Sequence, residues 1–464
     1  MSDGQRQTSP LGGAFPSSAR VKPGGSAGMA DSRVSVKRAK SPMFPMKLIE
    51  EIVHAENVKK ALERVESNGG SPGIDGMKTQ DLRKYLRRHW IRIRGQLLEG
   101  TYRPQPVKRV EIPKPDGSGV RNLGIPTVLD RFIQQSAMQV LQRGWDPKFS
   151  DHSYGFRPGR SAHQAVAKAQ KYICEGHTHV VDIDLEKFFD RVNHDILMGR
   201  IAKRIEDKRV LRLIRSFLNA GVMENGLVQP TEEGTPQGGP LSPLLSNIML
   251  DELDRELEGR GLRFVRYADD CNIYVKSERA GTRVMESVST FITKKLKLKV
   301  NQSKSAVAQP GERKFLGFTF TKSGKEPNRR KIAPQALERF KKKIRVLTNR
   351  NRGKSIEQVV EELSSYLYGW GGYFGFCQTR SVLMDLDSWI RRRLRCLIWR
   401  QWKVYRRRRA ELIKRGINEI GATKAAFSNH GPWCMSHVPP IRVALPNAYF
   451  DSLELPRLAA MGKV

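Results

Sequence analysis

The sequence predicts an α/β (α+β) chain in which short strands and helices alternate up to about residue 320 and helices alone continue to about residue 412. Three observations carry that expectation. Runs rich in Val, Ile, Phe and Tyr, bounded by turn residues, recur at 107–125, 180–184 and 262–276. Between them lie apolar stripes at helical spacing, such as Leu129, Phe132, Ile133, Ala137, Val140 and Leu141. From 334 onward the spacing stays helical, and the polar face becomes densely cationic.

Taken in order, residues 1–44 hold Ser, Gly, Pro, Arg and Lys with little to bury, the composition of a disordered basic tail. Asp3, Asp31 and the lack of an apolar helical face argue against a transit peptide. Residues 45–106 read as a helical extension carrying Val53, Val58, Ala61, Leu62 and Val65, interrupted by the loop Gly69–Gly76. A hairpin follows: Val107–Lys114, the turn Pro115-Asp-Gly-Ser-Gly119, then Val120–Ile125. Val180-Val-Asp-Ile-Asp184 is a strand whose period of two sets Asp182 and Asp184 on one face and Val181 and Ile183 on the other. Thr235-Pro-Gln-Gly-Gly-Pro240 is a loop entering a helix marked by Leu241, Leu244, Leu245, Ile248 and Met249. Its glycines either let backbone approach a ligand or simply turn the chain.

Two β runs then meet at Tyr267-Ala-Asp-Asp270, residues 282–299 turn helical and basic, and Lys314-Phe-Leu-Gly-Phe-Thr-Phe320 reads as another strand. The last long helix is expected to bury Ile390, Leu394, Leu397, Ile398, Trp402 and Tyr405 and to present Arg391, Arg392, Arg395, Lys403 and Arg406 outward. The remaining residues carry Gly416, Gly421, Gly431 and a Pro439-Pro440 pair and are too few for a core of their own. They are expected to dock on the helices before them, with Trp433 as an anchor.

The totals bound the function. The 464 residues leave room for roughly three domains. Lys and Arg number 83 against 47 Asp and Glu, a net charge of +36 that calls for a polyanion, nucleic acid ahead of an anionic membrane surface. No stretch is apolar and long enough to span a membrane. Five scattered cysteines without a CxxC pair exclude a disulfide scaffold and a structural zinc site, and suit a reducing compartment.

The chemistry gathers at Asp269 and Asp270. Adjacent carboxylates on a tight turn repel unless a cation joins them, and hard oxygen ligands beside substrate phosphates suit Mg²⁺. With a further carboxylate on the 180–184 strand and a basic hairpin ahead, the set fits nucleotidyl transfer, where two metal ions about 4 Å apart clamp the attacking hydroxyl and the leaving pyrophosphate.

On these residues the chain resembles the reverse transcriptase/maturase proteins encoded by group II introns, from about residue 45 to the C-terminus and in that family's order. The resemblance implies a right-hand polymerase: fingers and palm over 107–325, a helical thumb or maturase region over 326–412, and a small basic DNA-binding region over 413–464. It assigns the two Mg²⁺ to Asp184, Asp269 and Asp270, with Asp182 as the alternative to Asp184. It makes Phe189 the gate against a ribose 2′-hydroxyl, Lys114 and Arg121 the triphosphate pair, Gln237 and Gly238 the nucleotide-pocket loop, and Lys304 a lysine near the pyrophosphate. Phe315, Leu316 and Gly317 resemble the primer grip, with a plain core strand as the competing reading. The implied partners are group II intron RNA, an RNA template with its DNA primer, target DNA contacted through the Trp433 region, and deoxynucleotide triphosphates, in bacterial cytoplasm near the nucleoid and without a membrane. Many relatives end in a His- and Cys-bearing endonuclease that this sequence does not show, so the resemblance implies priming from another source. Two other readings remain open here: a reverse transcriptase with a defence role, and an RNA-binding splicing factor with a relic polymerase.

Overall fold

The structure, a computed structural model, describes residues 44, 47–113, 119–224, 227–229, 233–235, 238–322 and 327–462. Helices α1 (Leu48–Ile52), α2 (Ala55–Asn68) and α3 (Leu82–Glu99) come first. At Gly100 a left-handed φ of 72° stops α3 and turns the chain toward the first strand. β1 (Val107–Pro113) and β2 (Val120–Ile125) pair antiparallel, as the alternation on either side of the Pro-Asp-Gly turn requires. The turn itself, 114–118, lies outside the described residues.

α4 (Val128–Trp145) starts where Thr127 accepts from the Asp130 N–H, and α5 (Ala162–Cys174) starts in a Ser161/Gln164 capping box. Then come β3 (His179–Ile183), α6 (His194–Ala202), α7 (Lys208–Leu218), β4 (Val222–Glu224), β5 (Leu227–Gln229) and α8 (Ser242–Gly259). β6 (Arg263–Tyr267), β7 (Asp270–Val275), α9 (Glu278–Phe291), β8 (Ala306–Ala308), β9 (Phe318–Phe320) and β10 (Arg330–Ile332) complete the mixed part. One sheet runs β2-β1-β4-β5, a second runs β6-β7-β3-β8 with every neighbour antiparallel, and β9 and β10 form a separate hairpin.

The second sheet is buried on both faces, which explains its near-continuous apolar runs. Val181, Ile183, Phe264 and Ile273 face one core cluster, shared with α4 and α6 to α9. Val180, Val265 and Tyr274 face another, shared with α5 and the C-terminal helices. Those helices are α10 (Pro334–Leu347), α11 (Ile356–Phe374), α12 (Arg380–Gln401), α13 (Tyr405–Lys414), α14 (Glu419–Ala426), α15 (Pro432–Met435), α16 (Pro439–Ala444) and α17 (Asn447–Ser452).

Three expectations need correction. Lys314–Phe320 is not one strand: Leu316 and Gly317 take left-handed φ values of 52° and 81°, so the chain turns sharply and only Phe318–Phe320 is extended. The long helix breaks after Gln401, with Trp402 buried beneath the break and Tyr405 opening α13 exposed. Arg391 and Arg395 do not belong to a cationic outer face, being 4% and 9% exposed. Arg391 pairs with Asp451 at 3.4 Å, and Arg395 donates to the Leu445 carbonyl at 2.8 Å. Residues after 412 dock over them, and Ile441, Leu445, Phe450 and Leu458 join the same core as Leu383, Leu386 and Ile390. The segment is thus part of the helical core, and cutting it away would leave buried charges without partners. Trp433 is 41% exposed, held by the Arg392 guanidinium 4.1 Å above its ring.

Candidate active site

The sheet register assembles the carboxylates. β3 ends at Ile183, paired with Cys271, and one step further along the same register Asp184 comes alongside Asp270. Across the β6–β7 hairpin Tyr267 pairs with Asp270, leaving Ala268 and Asp269 as a two-residue turn. Ala268 has a φ of 58°, a region that costs a non-glycine residue about 1–2 kcal/mol. Asp182, Asp184 and Asp270 project from one face, since cross-strand partners share a face and alternate residues return to it.

Electrostatics follows from that crowding. The Asp270 carboxyl is pushed up to about 7, first because protein walls displace water from it, then because Asp269, Asp182 and Asp184 bring like charge close. Part of the Asp270 surface nonetheless stays open to solvent, so an ion can reach it. Asp182 is also raised by desolvation, opposed by Arg313, whose Nε and Nη2 donate to Oδ2 at 2.9 and 2.7 Å. Asp184 is held by its backbone: its N–H donates to Ser305 Oγ at 3.0 Å and its carbonyl accepts from the Asn301 N–H at 2.8 Å. Lys304 Nζ stands 3.9 Å from Asp184 Oδ2.

Among the described residues no group of three or more His, Cys, Asp or Glu side chains is gathered closely enough, as the side chains stand, to hold a metal ion by itself. The arrangement is an open row of carboxylates whose repulsion a hard cation relieves, with water and phosphate oxygens left to complete its shell. These residues fit Mg²⁺ on that ground.

Phe189 follows Lys187, which has a left-handed φ of 47°, and Phe188. Phe188 is buried and Phe189 half-buried, the two rings edge-on at 5.2 Å. Phe189 lines two cavities. One, about 520 Å³, includes Leu123, Arg131, Phe156, Gly238 and Gly239; the other, about 330 Å³, includes Arg109, Asn122, Asp190 and Thr235. Gly238 has a φ of 133°, and a Cβ there would lie 2.8 Å from the Gly124 carbonyl oxygen, so the close approach of loop to β2 requires glycine. Arg121 pairs with Ile112 in the β1–β2 ladder. Lys114 and Gln237 lie outside the described residues. A further cavity, about 740 Å³ beside Glu50, His54, Lys60 and Asp146, contains none of the predicted site residues.

Sequence reasoning missed several residues. Phe156 is 45% exposed with a φ of 60° and shares the Phe189 cavity; the Gly, Pro and Arg density of Tyr154-Gly-Phe-Arg-Pro-Gly-Arg160 is the signal that marks it. Arg313, the partner of Asp182, had none. Phe315 is buried, and the Tyr373 hydroxyl donates to the Leu316 carbonyl at 2.8 Å, tying that turn to α11. Lys403 and Arg406 are exposed, beside an unforeseen exposed pair, Tyr405 and Phe427, with ring centroids 4.7 Å apart.

Comparison with known proteins gives two family matches: reverse transcriptase (RNA-dependent DNA polymerase) over residues 112–320, and the group II intron, maturase-specific domain over residues 337–416. Protein YkfC of Escherichia coli (strain K12) is 32% identical over 314 residues, which is 59% of this chain and 81% of that protein. The group II intron-encoded protein LtrA of Lactococcus lactis subsp. cremoris is 31% identical over 328 residues, 55% of this chain and 53% of that protein. This chain therefore spans most of the first relative and about half of the second. Among solved structures, the partial Cas6-RT-Cas1--Cas2 complex is 27% identical with a TM-score of 0.35, covering 53% of this chain and 42% of that one.

Proposed function

The chain belongs to the reverse transcriptases of group II introns that carry a maturase domain, and from that premise we propose that it copies RNA into DNA at Asp184, Asp269 and Asp270 and assists the splicing and mobility of an intron RNA. The observation that carries this reading is the register that brings Asp184 alongside the Asp269–Asp270 turn. Two Mg²⁺ held by these three carboxylates would supply charge stabilisation for the attacking 3′-hydroxyl and the leaving pyrophosphate. Asp182 spends its charge on Arg313, which favours Asp184 as the third ligand. Lys304, beside Asp184, offers a cation toward the pyrophosphate, and Lys114 and Arg121 are the proposed pair for the triphosphate. Gln237 and Gly238 line the nucleotide pocket, and the Phe315–Gly317 turn grips the primer.

In this reading 1–44 is a basic tail, 45–106 a helical extension, 107–325 fingers and palm, 326–412 the thumb, and 413–464 a DNA-contacting region. Arg392, Lys403, Arg406 and Trp433 meet nucleic acid, with intron RNA, template–primer and target DNA as partners, in the cytoplasm of a bacterium near its nucleoid. The test is incorporation of deoxynucleotides on a homopolymer RNA template with a DNA primer. Mg²⁺-dependent extension supports the reading; a well-folded protein that binds RNA but extends nothing overturns it.

Phe189 stands between its two cavities, where its ring blocks the volume that a 2′-hydroxyl needs. Phe189→Val should admit ribonucleotides, lowering the preference for deoxynucleotides by about 10- to 100-fold, the scale at which a change in pocket shape discriminates. Single-nucleotide incorporation measures it, and an unchanged preference removes Phe189 from the gate.

A further inference from the structure

Beneath the carboxylate row lies a network that the proposed chemistry does not use. Arg266, on β6, is fully buried, and its side chain points to the sheet face opposite Asp184 and Asp270, toward α8. All five of its N–H donors are engaged. Nε and Nη2 donate to Asp254 Oδ1 and Oδ2 at 2.7 and 2.5 Å, Nη1 to Asn247 Oδ1 at 3.0 Å and the Ala268 carbonyl at 2.8 Å, and Nη2 also to Ser153 Oγ at 2.8 Å. Asp254 is itself fully buried. Asn247 extends the clasp by donating to the Gly155 carbonyl at 2.9 Å, and a Cβ on Gly155 would lie 2.2 Å from the Ala268 nitrogen. The backbone continues the contact: Tyr154 N–H donates to the Arg266 carbonyl, and Arg266 N–H to the His152 carbonyl, both at 2.9 Å.

Two features of this arrangement exceed what stability asks of it. A buried ion pair is commonly no more stabilising than well-packed apolar residues of the same volume. And the atom it reaches is the carbonyl of Ala268, the one residue of the turn with a left-handed φ. Rotation about the Ala268 N–Cα bond would relieve that strain, but it would carry the Ala268 carbonyl away from Arg266 and swing Asp269 with it. The bond from Arg266 Nη1 holds the carbonyl on one side of that N–Cα bond, and Gly155, packed against the Ala268 nitrogen, leaves the Tyr267–Ala268 peptide on the other side no room to turn instead.

We propose that Arg266, oriented by Asp254, is a positioning residue: by clasping the Ala268 carbonyl from the buried side of the sheet, it fixes the strained turn in the peptide orientation that presents Asp269 and Asp270 together. The proposal rests on the reading of those two aspartates as catalytic. A metal-dependent transfer tolerates misplacement of its ligands by only about 0.5 Å, and 1 Å costs about 100-fold in rate.

The experiment uses the full chain. Arg266→Met with Asp254→Leu removes the clasp and both buried charges together, so the fold keeps its packing. Arg266→Lys keeps a cation for Asp254 but lacks the fork that reaches Ala268, and carries the test should the double variant aggregate. For either, kcat for primer extension should fall about 10- to 100-fold and the Mg²⁺ concentration for half-maximal rate should rise, while KM for the deoxynucleotide and affinity for RNA stay within about 2-fold. Wild-type kcat and Mg²⁺ dependence in a folded variant overturn the proposal. So does a loss shared equally by RNA affinity and thermal stability, which marks a structural role only. Asp270→Asn in the same assay separates the two failures. If it retains activity, the catalytic reading falls; if it is inactive while the Arg266 variants are normal, the positioning proposal alone falls.

Discussion

Replacing Asp270 with Asn should stop DNA synthesis while leaving RNA binding and splicing assistance in place. Asp270 carries a heavy like-charge load, with Asp269, Asp182 and Asp184 all raising its carboxyl, so it gains from a bound cation. The amide is nearly isosteric yet cannot share a divalent ion as a carboxylate does. Losing several kcal/mol of transition-state charge stabilisation lowers the rate by about 10³-fold or more. Asp184→Asn should behave alike. Asp182→Asn should instead act through Arg313, its partner at 2.7 Å, with a smaller loss. Primer extension on a homopolymer RNA template and a splicing assay, run on the same preparations, read both activities. Collapse of both in a folded Asp270→Asn protein would contradict the separation.

The site was legible where its logic is local. Period two along Val180–Asp184 set Asp182 and Asp184 on one face, and the apolar flanks of Tyr267–Asp270 marked a hairpin; the sheet register contains both features. What escaped the sequence depends on partners far along the chain. Nothing in Arg313 announces a bond to Asp182, 131 residues away. Nothing within the Phe-Val-Arg-Tyr run marks Arg266 as buried, and only α8 lying beneath that face of the sheet makes it so. Arg391 and Arg395 look like members of a solvated face because the helix alone cannot show that residues 441–458 cover them. The Leu316 turn was hidden because an apolar run interrupted by one glycine resembles a strand, and the left-handed φ at a leucine is imposed by its tertiary setting.

Affinity for RNA should fall steeply with salt. The net charge of +36 has no acidic partner within the chain to neutralise it, so phosphate is its natural counterion. With about six to ten phosphate contacts, affinity should drop roughly 10³- to 10⁵-fold between about 50 and 200 mM salt. Exposure separates the cations open to phosphate from those already paired within the fold. Lys403→Gln and Arg406→Gln, both at exposed positions, should each reduce the log–log slope by about 0.7–0.9. Arg391→Gln should lower stability and leave the slope alone, because its charge is spent on Asp387 and Asp451. Fluorescence anisotropy with labelled RNA across a salt series measures the slopes. A flat response would mean that the basic surface serves something other than phosphate.

Asp184, Asp269 and Asp270 should act as one metal-dependent site for joining deoxynucleotides to a primer. The most direct measurement is electron paramagnetic resonance with Mn²⁺ in place of Mg²⁺, on the full chain bound to an RNA template, a DNA primer and a non-hydrolysable deoxynucleotide triphosphate. Two Mn²⁺ with the magnetic coupling of ions about 4 Å apart are expected, with loss of that coupled signal in Asp270→Asn and Asp184→Asn. A coupled pair that persists unchanged in both variants, or a wild-type complex that binds no such pair while still extending primers, would contradict it.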